Sequence, residues 1–167
     1  MFGRKNHYEQ AFSGMLVEAG VQALAVEQAR RPTLNGVTLK NFDLMLNGLD
    51  AVYALDLKGR RERPWISRTD LFSMMGWRTL LRGKAVPAFL FAFFTPPFAS
   101  PGRVGDLPAT LHATPAGSYR FSLLGLEDAQ RLARPRSAGW GTLDFAWEAF
   151  ARVVQPLDAI VQLPCGV

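Results

Sequence analysis

Two pairs of polar residues, each followed by apolar residues at helical spacing, mark the starts of helices. Asn6 with Glu9 three positions later, and Ser67 with Asp70, are typical of the capping box that opens a helix. Apolar residues then recur every three or four positions, which is the repeat of an amphipathic helix. The chain is predicted to form helices over about residues 7–19, 67–81, 127–133 and 146–154.

Shorter apolar runs between these segments predict β-strands. The dipeptide Asn47-Gly48 is a strong hairpin-turn signal, so the runs on either side of it are expected to pair antiparallel. The run 85–94 is almost wholly apolar, as in a strand buried on both faces. Residues 95–117 carry five of the 11 prolines and three glycines, which predicts a long irregular excursion. The predicted strands are residues 21–27, 37–46, 51–59, 85–94 and 119–124.

The order of these elements through residue 94 is helix, strand, strand, strand, helix, strand. An α/β fold with a mixed sheet satisfies this order, because the hairpin is antiparallel and the second helix provides a crossover to a buried strand. A chain of 167 residues has room for one compact domain. We therefore expect a single α/β domain over residues 1–167, with helices flanking the sheet.

The composition excludes several classes of protein. With 49% apolar and 20% charged residues the chain can bury a core, which a disordered chain cannot. The lone Cys165 excludes an intramolecular disulfide and a cysteine-based zinc site. We expect no membrane association and a cytoplasmic location, because there is neither a run of about 18 apolar residues nor the apolar region of a secretory signal. Glycine-rich nucleotide-binding loops and nucleophile elbows are absent as well.

The net charge of +5 belongs entirely to the first part of the chain. Residues 1–94 hold 13 Lys or Arg against 8 Asp or Glu, whereas residues 95–167 hold 6 against 6. Of the 19 basic residues, 15 are arginine, whose planar fork suits phosphate oxygens. An anionic partner explains this surplus, and so does an ordinary solvated surface.

An acid and a lysine share one face of the predicted strand 51–59. Asp56 and Lys58 are two residues apart, so both side chains leave the strand on the same side. With a two- or four-residue hairpin loop, Asp43 on the preceding strand joins that face, whereas a three- or five-residue loop puts it on the opposite face. The two-residue loop Asn47-Gly48 would place Leu46 opposite Leu49. A four-residue loop that places Leu46 opposite Ala51 would make Asp43 and Asp56 diagonal neighbours, roughly 7–8 Å apart.

Two carboxylates on one sheet surface raise each other's pKa unless a cation lies between them. Their oxygens are ligands that suit Mg²⁺ or Mn²⁺. Beside such a metal, Lys58 would hold or help to deprotonate a water molecule, or offset charge that develops on a phosphate. The plainer interpretation is a cross-strand ion pair, which the tripeptide Asp-x-Lys by itself favours.

Phe42-Asp43 on one strand, a hairpin and then Asp56-Leu57-Lys58, all within the order αβββαβ, resemble the PD-(D/E)XK nuclease superfamily. The resemblance implies a restriction-endonuclease-like αβββαβ core over residues 1–94, followed by the excursion 95–117 and a C-terminal α/β extension over residues 118–167. It implies that Asp43 and Asp56 bind a catalytic Mg²⁺ or Mn²⁺ and that Lys58 assists the attacking water. Glu9 on the first helix matches a third metal ligand by position, although its spacing from Asn6 fits a helix cap as well.

The start of the chain also resembles the bacterial HYExAFE family. His7-Tyr8-Glu9-Gln10-Ala11-Phe12 is similar to the family signature, with Ser13 in place of its last Glu. In that family a Phe-Asp strand and an Asp-x-Lys-Gly strand follow the same helix, as Phe42-Asp43 and Asp56-Leu57-Lys58-Gly59 do here. The likeness supplies no established activity.

The resemblance to the nucleases implies an enzyme that hydrolyses phosphodiester bonds, with DNA as the expected partner. Candidates for phosphate contact are Arg60, Arg61 and Arg63 directly after the lysine, and Arg30 and Arg31 after the first strand. One alternative is a nuclease-fold module that binds nucleic acid without cutting it. The other is a structural or interaction domain in which the two acids and the lysine only neutralise one another.

The sequence leaves the oligomeric state open. Many nucleases of this fold pair to cut two strands, which makes a homodimer one expected arrangement. The stretch 143–154 is apolar enough to form the contact.

Overall fold

A computed structural model describes residues 6–136, 139 and 141–164 of the chain. Cys165 lies outside the described residues. The helices are α1 His7–Ala19, α2 Arg68–Leu81, α3 Leu126–Leu132 and α4 Trp147–Val153. The strands are β1 Ala23–Ala25, β2 Thr33–Leu34, β3 Val37–Thr38, β4 Leu44–Asn47, β5 Val52–Arg60, β6 Trp65–Ser67, β7 Val86–Thr95, β8 Thr110–Thr114, β9 Gly117–Gly125, β10 Arg134–Pro135, β11 Thr142–Asp144 and β12 Gln155–Pro156.

The first two helices begin at the residues predicted to cap them. The Asn6 side chain accepts a hydrogen bond from the Glu9 backbone N–H. At the start of α2 the Ser67 and Asp70 side chains each accept from the other's backbone N–H, which completes the capping box. Helix α1 ends at Gly20, whose φ of 67° suits a residue without a Cβ.

A seven-stranded mixed sheet forms the centre of the described chain, in the order β1-β4-β5-β7-β9-β12, with β8 also paired to β9. Strands β5 and β7 are parallel, and α2 lies in the connection between them. The other pairs in this sheet are antiparallel. A three-stranded sheet, β10-β11-β6, and the hairpin β2-β3 complete the strands. The predicted α/β fold with a mixed sheet is confirmed.

Two parts of the strand prediction are wrong. The run 37–46 is not one strand, because it divides into β3 and β4 around a non-strand stretch. There the backbone bonds to other elements, as when the Lys40 N–H donates to Ser73 Oγ over 2.8 Å. The excursion 95–117 is not wholly irregular either, because it contains a 3-10 turn, Gly102–Asp106, and strand β8. Strand β8 forms through pairing with β9, which local composition cannot reveal.

The sheet lies between two apolar cores. On one face α1 contributes Phe12, Met15 and Leu16 to a core that includes Leu55 and Leu90. On the other face α2, α3 and α4 cover a core that contains the phenylalanines of β7, namely Phe89, Phe91 and Phe93. The continuous apolar run of β7 follows from this burial on both sides.

The apolar stretch 143–154, expected to serve a homodimer contact, is used inside the chain. Leu143, Phe145, Phe150 and Val154 are buried in the core under α2, and Trp147 packs against that core. These side chains are therefore not a free surface for a second copy, so the expectation that this stretch forms the contact is wrong. A homodimer itself stays a prediction. Across the described residues, no helix has both the length and the apolar character needed to cross a membrane.

Candidate active site

Strand β5 carries a row of charged side chains on the face that α2 covers. Asp56, Lys58 and Arg60 alternate with apolar or small residues, so all three point to the same side of the sheet. In the parallel register with β7 they stand beside Phe89, Phe91 and Phe93, which belong to the core on that face. Asp56 is 4% exposed and Lys58 is 7% exposed, so both charges are buried.

The hairpin β4-β5 places Asp43 directly beside Asp56. Asn47 pairs with Val52 and Leu46 with Tyr53, so the loop comprises residues 48–51. Both predicted registers, in which Leu46 faced Leu49 or Ala51, are wrong. Continuing the observed register by one residue puts Asp43 opposite Asp56 rather than diagonal to it. The two predicted carboxylates therefore share one face, as the even loop length requires.

One contact inside the hairpin loop and one outside it hold this register. Inside the loop, the Gly48 N–H donates to the carbonyl of Ala51 over 2.9 Å. The next amide, Leu49 N–H, donates to the carbonyl of Ile160 over 2.7 Å. Because Ile160 lies more than 100 positions along the chain, turn rules applied to residues 46–52 could not find the register.

The Asp43 carboxylate is fixed by the backbone of β5. Its Oδ2 accepts a hydrogen bond from the Leu57 N–H over 2.6 Å. Its own N–H donates to the carbonyl of Leu55 over 2.9 Å, and its carbonyl accepts from the Val26 N–H over 2.9 Å. The half-buried Asp43 side chain thus accepts the hydrogen bond that a backbone carbonyl of a neighbouring strand would otherwise accept.

Asp56 ionises at an unusually high pH for a carboxyl group. Burial raises its pKa to about 7, the positive charge of Lys58 opposes this, and the charges of Asp43 and Asp70 add to the rise. A hydrogen bond between the Asp56 and Asp43 side chains acts in the same direction. Burial and two acidic neighbours thus outweigh an ion pair with Lys58 at 3.1 Å.

The Lys58 amine bridges two acids, and one of them was predicted only as a helix cap. Its Nζ lies 3.1 Å from Asp56 Oδ2 and 3.0 Å from Asp70 Oδ1. The same Asp70 oxygen accepts from Lys40 Nζ at 2.6 Å. The other Asp70 oxygen accepts from the Ser67 N–H, so this carboxylate joins the start of α2 to the charged face of β5.

Three acids and three basic side chains interact in this cluster. Asp43, Asp56 and Asp70 lie near Lys40 and Lys58, and the charge of Arg60 interacts with those of Asp56 and Asp70. Burial raises the pKa of Asp70, but the charge of Lys58 and the hydrogen bonds from Lys40 and Ser67 outweigh it and hold the pKa well below its ordinary value. Asp70 therefore stays ionised, whereas Asp56, beside Asp43, is the acid whose pKa is raised.

A cleft of about 460 Å³ opens beside the cluster. Lys58 and Asp70 line it, together with Lys40, whose side chain is 37% exposed. The first turn of α1 forms part of its wall, and so do Arg60 and Trp65 beyond the lysine. Asp56 lies behind Lys58, one ion-pair distance from the cleft lining. Three basic side chains and one acid therefore line the cleft.

Glu9 does not complete a three-carboxylate group with Asp43 and Asp56. Over the described residues, no set of three or more His, Cys, Asp or Glu side chains is grouped so as to hold a metal ion. The contact found for Glu9 is the bond from its backbone N–H to Asn6 Oδ1, 2.9 Å, which caps α1. A role for the Glu9 carboxylate as a ligand stays a prediction.

His7 and Tyr8, the residues before Glu9, are the part of α1 that reaches the cleft. His7 Nδ1 lies 2.9 Å from the hydroxyl of Tyr119. The Tyr8 ring lies over Gly59, where a Cβ would meet it at 2.2 Å, so this position of β5 requires glycine.

The five predicted phosphate-binding arginines differ in their surroundings. Arg60 stacks on the Trp65 ring at 3.7 Å and donates through Nη2 to the Trp65 carbonyl over 2.7 Å. Burial lowers its pKa to about 10. Arg63 lies 3.7 Å from Asp144, and Arg61 is exposed.

Arg30 and Arg31 are also exposed. Both follow β1, whereas the site lies on β5, two strands further into the sheet. Neither belongs to the lining of the cleft beside Lys58. Of the five arginines, Arg60 is the one that lines it.

Sequence reasoning missed Lys40 and the second role of Asp70. Lys40 fell inside a predicted strand, and Asp70 was fully explained by its cap. The sequence did hold a signal for the second role of Asp70, because α2 begins only eight residues after β5 ends. The first turn of a helix that closes so short a connection lies near the strand it follows.

The fold is similar to that of a Holliday junction resolvase from Archaeoglobus fulgidus, an archaeal hyperthermophile. The TM-score is 0.52 at 11% sequence identity, over 91% of this chain and 90% of that one. At this identity the likeness shows the fold alone. No family model and no curated protein matches the chain. Membership of the HYExAFE family therefore stays a prediction.

The acidic pair fits a hard divalent cation. Burial raises the pKa of Asp56 to about 7 and the charge of Asp43 adds to the rise, so a positive ion between the two carboxylates would relieve their repulsion. Mg²⁺ is commonly bound through one or two carboxylates and keeps several of its water molecules. The residues present therefore allow a site with Asp43 and Asp56 as its protein ligands.

Proposed function

We propose that this protein is a metal-dependent nuclease that hydrolyses phosphodiester bonds, with DNA as its substrate class and Mg²⁺ or Mn²⁺ as its cofactor. The observation that carries the proposal is the pairing of Asp43 with Asp56 beside the Lys58 amine, at the wall of a basic cleft. The likeness to a Holliday junction resolvase fold supports the same class of reaction.

In this proposal Asp43 and Asp56 hold the ion. A bound divalent cation lowers the pKa of its water and polarises the phosphate. The Leu57 N–H keeps the Asp43 carboxylate turned toward Asp56, so the protein fixes one ligand through its backbone. Asp56 must lose its proton to bind, which favours binding at and above neutral pH.

Lys58 serves the attacking water. Its amine has three donors, and the contacts to Asp56 and Asp70 account for two of them. The third donor is free to hold a water molecule or a phosphate oxygen in the cleft that Lys58 lines. Asp70 keeps the amine in place, because its carboxylate is itself fixed at the start of α2.

Lys40 and Arg60 provide positive charge along the same cleft. Lys40 reaches it with a side chain that is 37% exposed. Burial lowers its pKa, but the hydrogen bond to Asp70 and the charges of Asp56 and Asp70 raise the pKa above its ordinary value, so the side chain stays charged. Cations placed along a groove attract and align the phosphates of a nucleic acid strand.

A second candidate is a module of the same fold that binds nucleic acid without cutting it. The observation in its favour is that Lys58 is already paired with two carboxylates, so its charge is neutralised where the reaction would take place. The two candidates differ in one outcome, which is metal-dependent cleavage.

The test is cleavage of plasmid, single-stranded and branched DNA by the purified chain in Mg²⁺, Mn²⁺ or EDTA. We expect cleavage in either metal and none in EDTA. Lys58→Ala should lower the rate by at least about 100-fold, since positioned proton-transfer groups contribute roughly that much. Asp56→Asn should lower it at least as far, because it removes a ligand of the metal. Lys84→Ala, at an exposed lysine just after α2, is the matched control and should cut normally. DNA binding without cleavage would favour the second candidate, and equal rates for Lys58→Ala and the control would refute the proposed role of Lys58.

A further inference from the structure

The turn that follows β7 holds an aromatic side chain entirely in solvent. Phe98 is 109% exposed, more than any other large apolar residue in the described chain. Its backbone has a φ of 64°, the left-handed region that a bulky side chain rarely occupies. The chain therefore bears backbone strain at a residue whose ring is not buried in its own core. Such strain persists at positions where the surrounding structure imposes it, which are often functional.

The turn is built to hold this conformation. Pro96 and Pro97 precede Phe98, and the ring of each proline fixes its own φ. Pro101 follows Phe98 three positions later. The Ala99 N–H donates to the carbonyl of Pro96 over 3.2 Å and closes the turn around Phe98. A ring presented by a stiff turn loses little conformational freedom when a partner covers it.

The turn lies at the same end of the sheet as the proposed active site. Strands β5 and β7 are parallel, with Lys58 beside Phe91 and Arg60 beside Phe93, so the chain leaves β7 where the charged row of β5 ends. Phe94 contacts the His7 ring, which lines the cleft, with ring centroids 5.1 Å apart. Phe98 follows Phe94 by four residues, so its turn leaves the sheet next to a residue that contacts the lining of that cleft.

Two arginines lie near the turn. Residues 95–105 contain no acidic side chain and include Arg103, whose guanidinium stacks on the Trp147 ring at 4.2 Å. Arg120 Nη1 donates to the Thr95 hydroxyl over 3.5 Å at the base of the turn. An exposed ring with positive charge beside it suits a partner that has flat apolar faces and negative charge.

We propose that the ring of Phe98 stacks on a nucleobase of the strand whose phosphates occupy the cleft. This inference rests on the proposed nuclease function and names the part of the substrate that the turn around Phe98 contacts. Base stacking on an aromatic side chain tolerates any sequence, and phenylalanine is also used as a wedge between base steps. A second copy of the chain is a poorer fit, because a stable contact buries roughly 800 Å² on each partner and the rest of this turn is proline, alanine and serine.

The test compares Phe98→Ala, Phe98→Gly and Phe98→Trp with the unsubstituted protein. The readouts are the affinity for single-stranded oligonucleotides and the quenching of a 2-aminopurine base in them, with Ca²⁺ in place of Mg²⁺ to slow cleavage. We expect the Ala and Gly variants to bind about 5-fold to 150-fold more weakly and to lose quenching, since this is the range of one stacked base. Phe98→Trp should keep both, and Phe72→Ala, at a 63% exposed phenylalanine on α2, should change neither.

The glycine variant adds a readout that does not depend on activity. Glycine adopts positive φ without strain, so Phe98→Gly should raise the unfolding temperature although it weakens binding. Unchanged affinity and quenching for Phe98→Ala and Phe98→Gly, in a protein that still cuts DNA through Lys58, would overturn the inference and leave the nuclease proposal standing. A self-association in sedimentation that Phe98→Ala abolishes would assign the ring to a second copy and also overturn it. Loss of cleavage in Asp56→Asn with normal stacking by Phe98 would support both proposals.

Discussion

The two faces of β5 belong to one strand but have opposite chemistry. Toward α1 the strand presents Leu55 and Leu57, which pack into an apolar core. Toward α2 it presents Asp56 and Lys58, which are buried as ions and need partners from two other elements. Burial of the first face stabilises the fold directly, whereas a buried ion pair is often no better than apolar side chains of the same volume. In the proposed function the charged face serves the reaction, whereas the apolar face serves stability.

The largest expected effect lies on the apolar face. Leu55→Ala should lower the free energy of unfolding by about 2–5 kcal/mol, because Leu55 is fully buried and the substitution leaves a cavity. The loss should be the same at pH 5 and pH 8, since the substitution removes apolar contacts and no charged group. Urea denaturation at both pH values measures it. A loss that depended on pH would show that the two faces are not independent.

On the charged face, Asp70→Asn should lower the free energy of unfolding by about 3 kcal/mol at pH 7. The change removes the ion pairs to Lys40 and Lys58 and leaves buried positive charge without its partner. Because the folded state holds the pKa of Asp70 below its unfolded value near 4, its contribution is present above that pH and is lost as the pH falls below it.

The matched variant for Asp70→Asn is Asp128→Asn, at a half-exposed acid on α3 whose ion pair with Arg131 lies at the surface. Denaturation curves from pH 7 to pH 3 should show the difference between Asp70→Asn and the unsubstituted protein shrinking at the acid end. A constant difference over that range would mean that Asp70 acts through packing or the cap alone.

Asp56→Asn should raise the free energy of unfolding, whereas Asp70→Asn lowers it. The folded state raises the pKa of Asp56 to about 7, so between about pH 4 and 7 it binds more protons than the unfolded state does. Stability from this group is therefore present at low pH and is lost as the pH rises through 7. At pH 8 the free energy of unfolding of Asp56→Asn should exceed that of the unsubstituted protein by about 1–3 kcal/mol. At pH 5 the two proteins should have similar free energies of unfolding. Destabilisation at pH 8 would contradict the raised pKa.

Much of the fold could be predicted because its determinants are local. The caps of α1 and α2 are encoded within four residues of each helix start, and the apolar run of β7 shows its burial by itself. Strands β6 and β11 could not be predicted in this way, since each is three residues long and exists through pairing with the other across about 75 positions. Their formation depends on tertiary contacts rather than on propensity.

The part of the site that depends on local sequence could likewise be predicted. The shared face of Asp56 and Lys58 follows from the period of a strand, and Asp43 joins it for any even loop length. Asp70 and Lys40 reach the site through the packing of α2 and of the segment before β4, which no sequence period describes.

The smallest expected effect concerns a charge at the margin of the site. Arg63 lies 3.7 Å from Asp144, and its side chain is 43% exposed. Arg63→Ala should change the free energy of unfolding by less than about 0.5 kcal/mol, because solvent screens such pairs. Thermal unfolding at two salt concentrations measures this. A loss comparable to that of Asp70→Asn would extend the buried charged cluster beyond the end of β5.

Titration calorimetry with Mn²⁺ tests most directly whether Asp43 and Asp56 share a divalent cation. Measurements at pH 6 and pH 8.5, each in two buffers of different ionisation enthalpy, report how many protons binding releases. We predict that one ion binds, that nearly one proton is released at pH 6 and almost none at pH 8.5, and that Asp43→Asn or Asp56→Asn abolishes binding. Binding that survives either substitution, or that releases no proton at pH 6, would contradict a cation held by this pair.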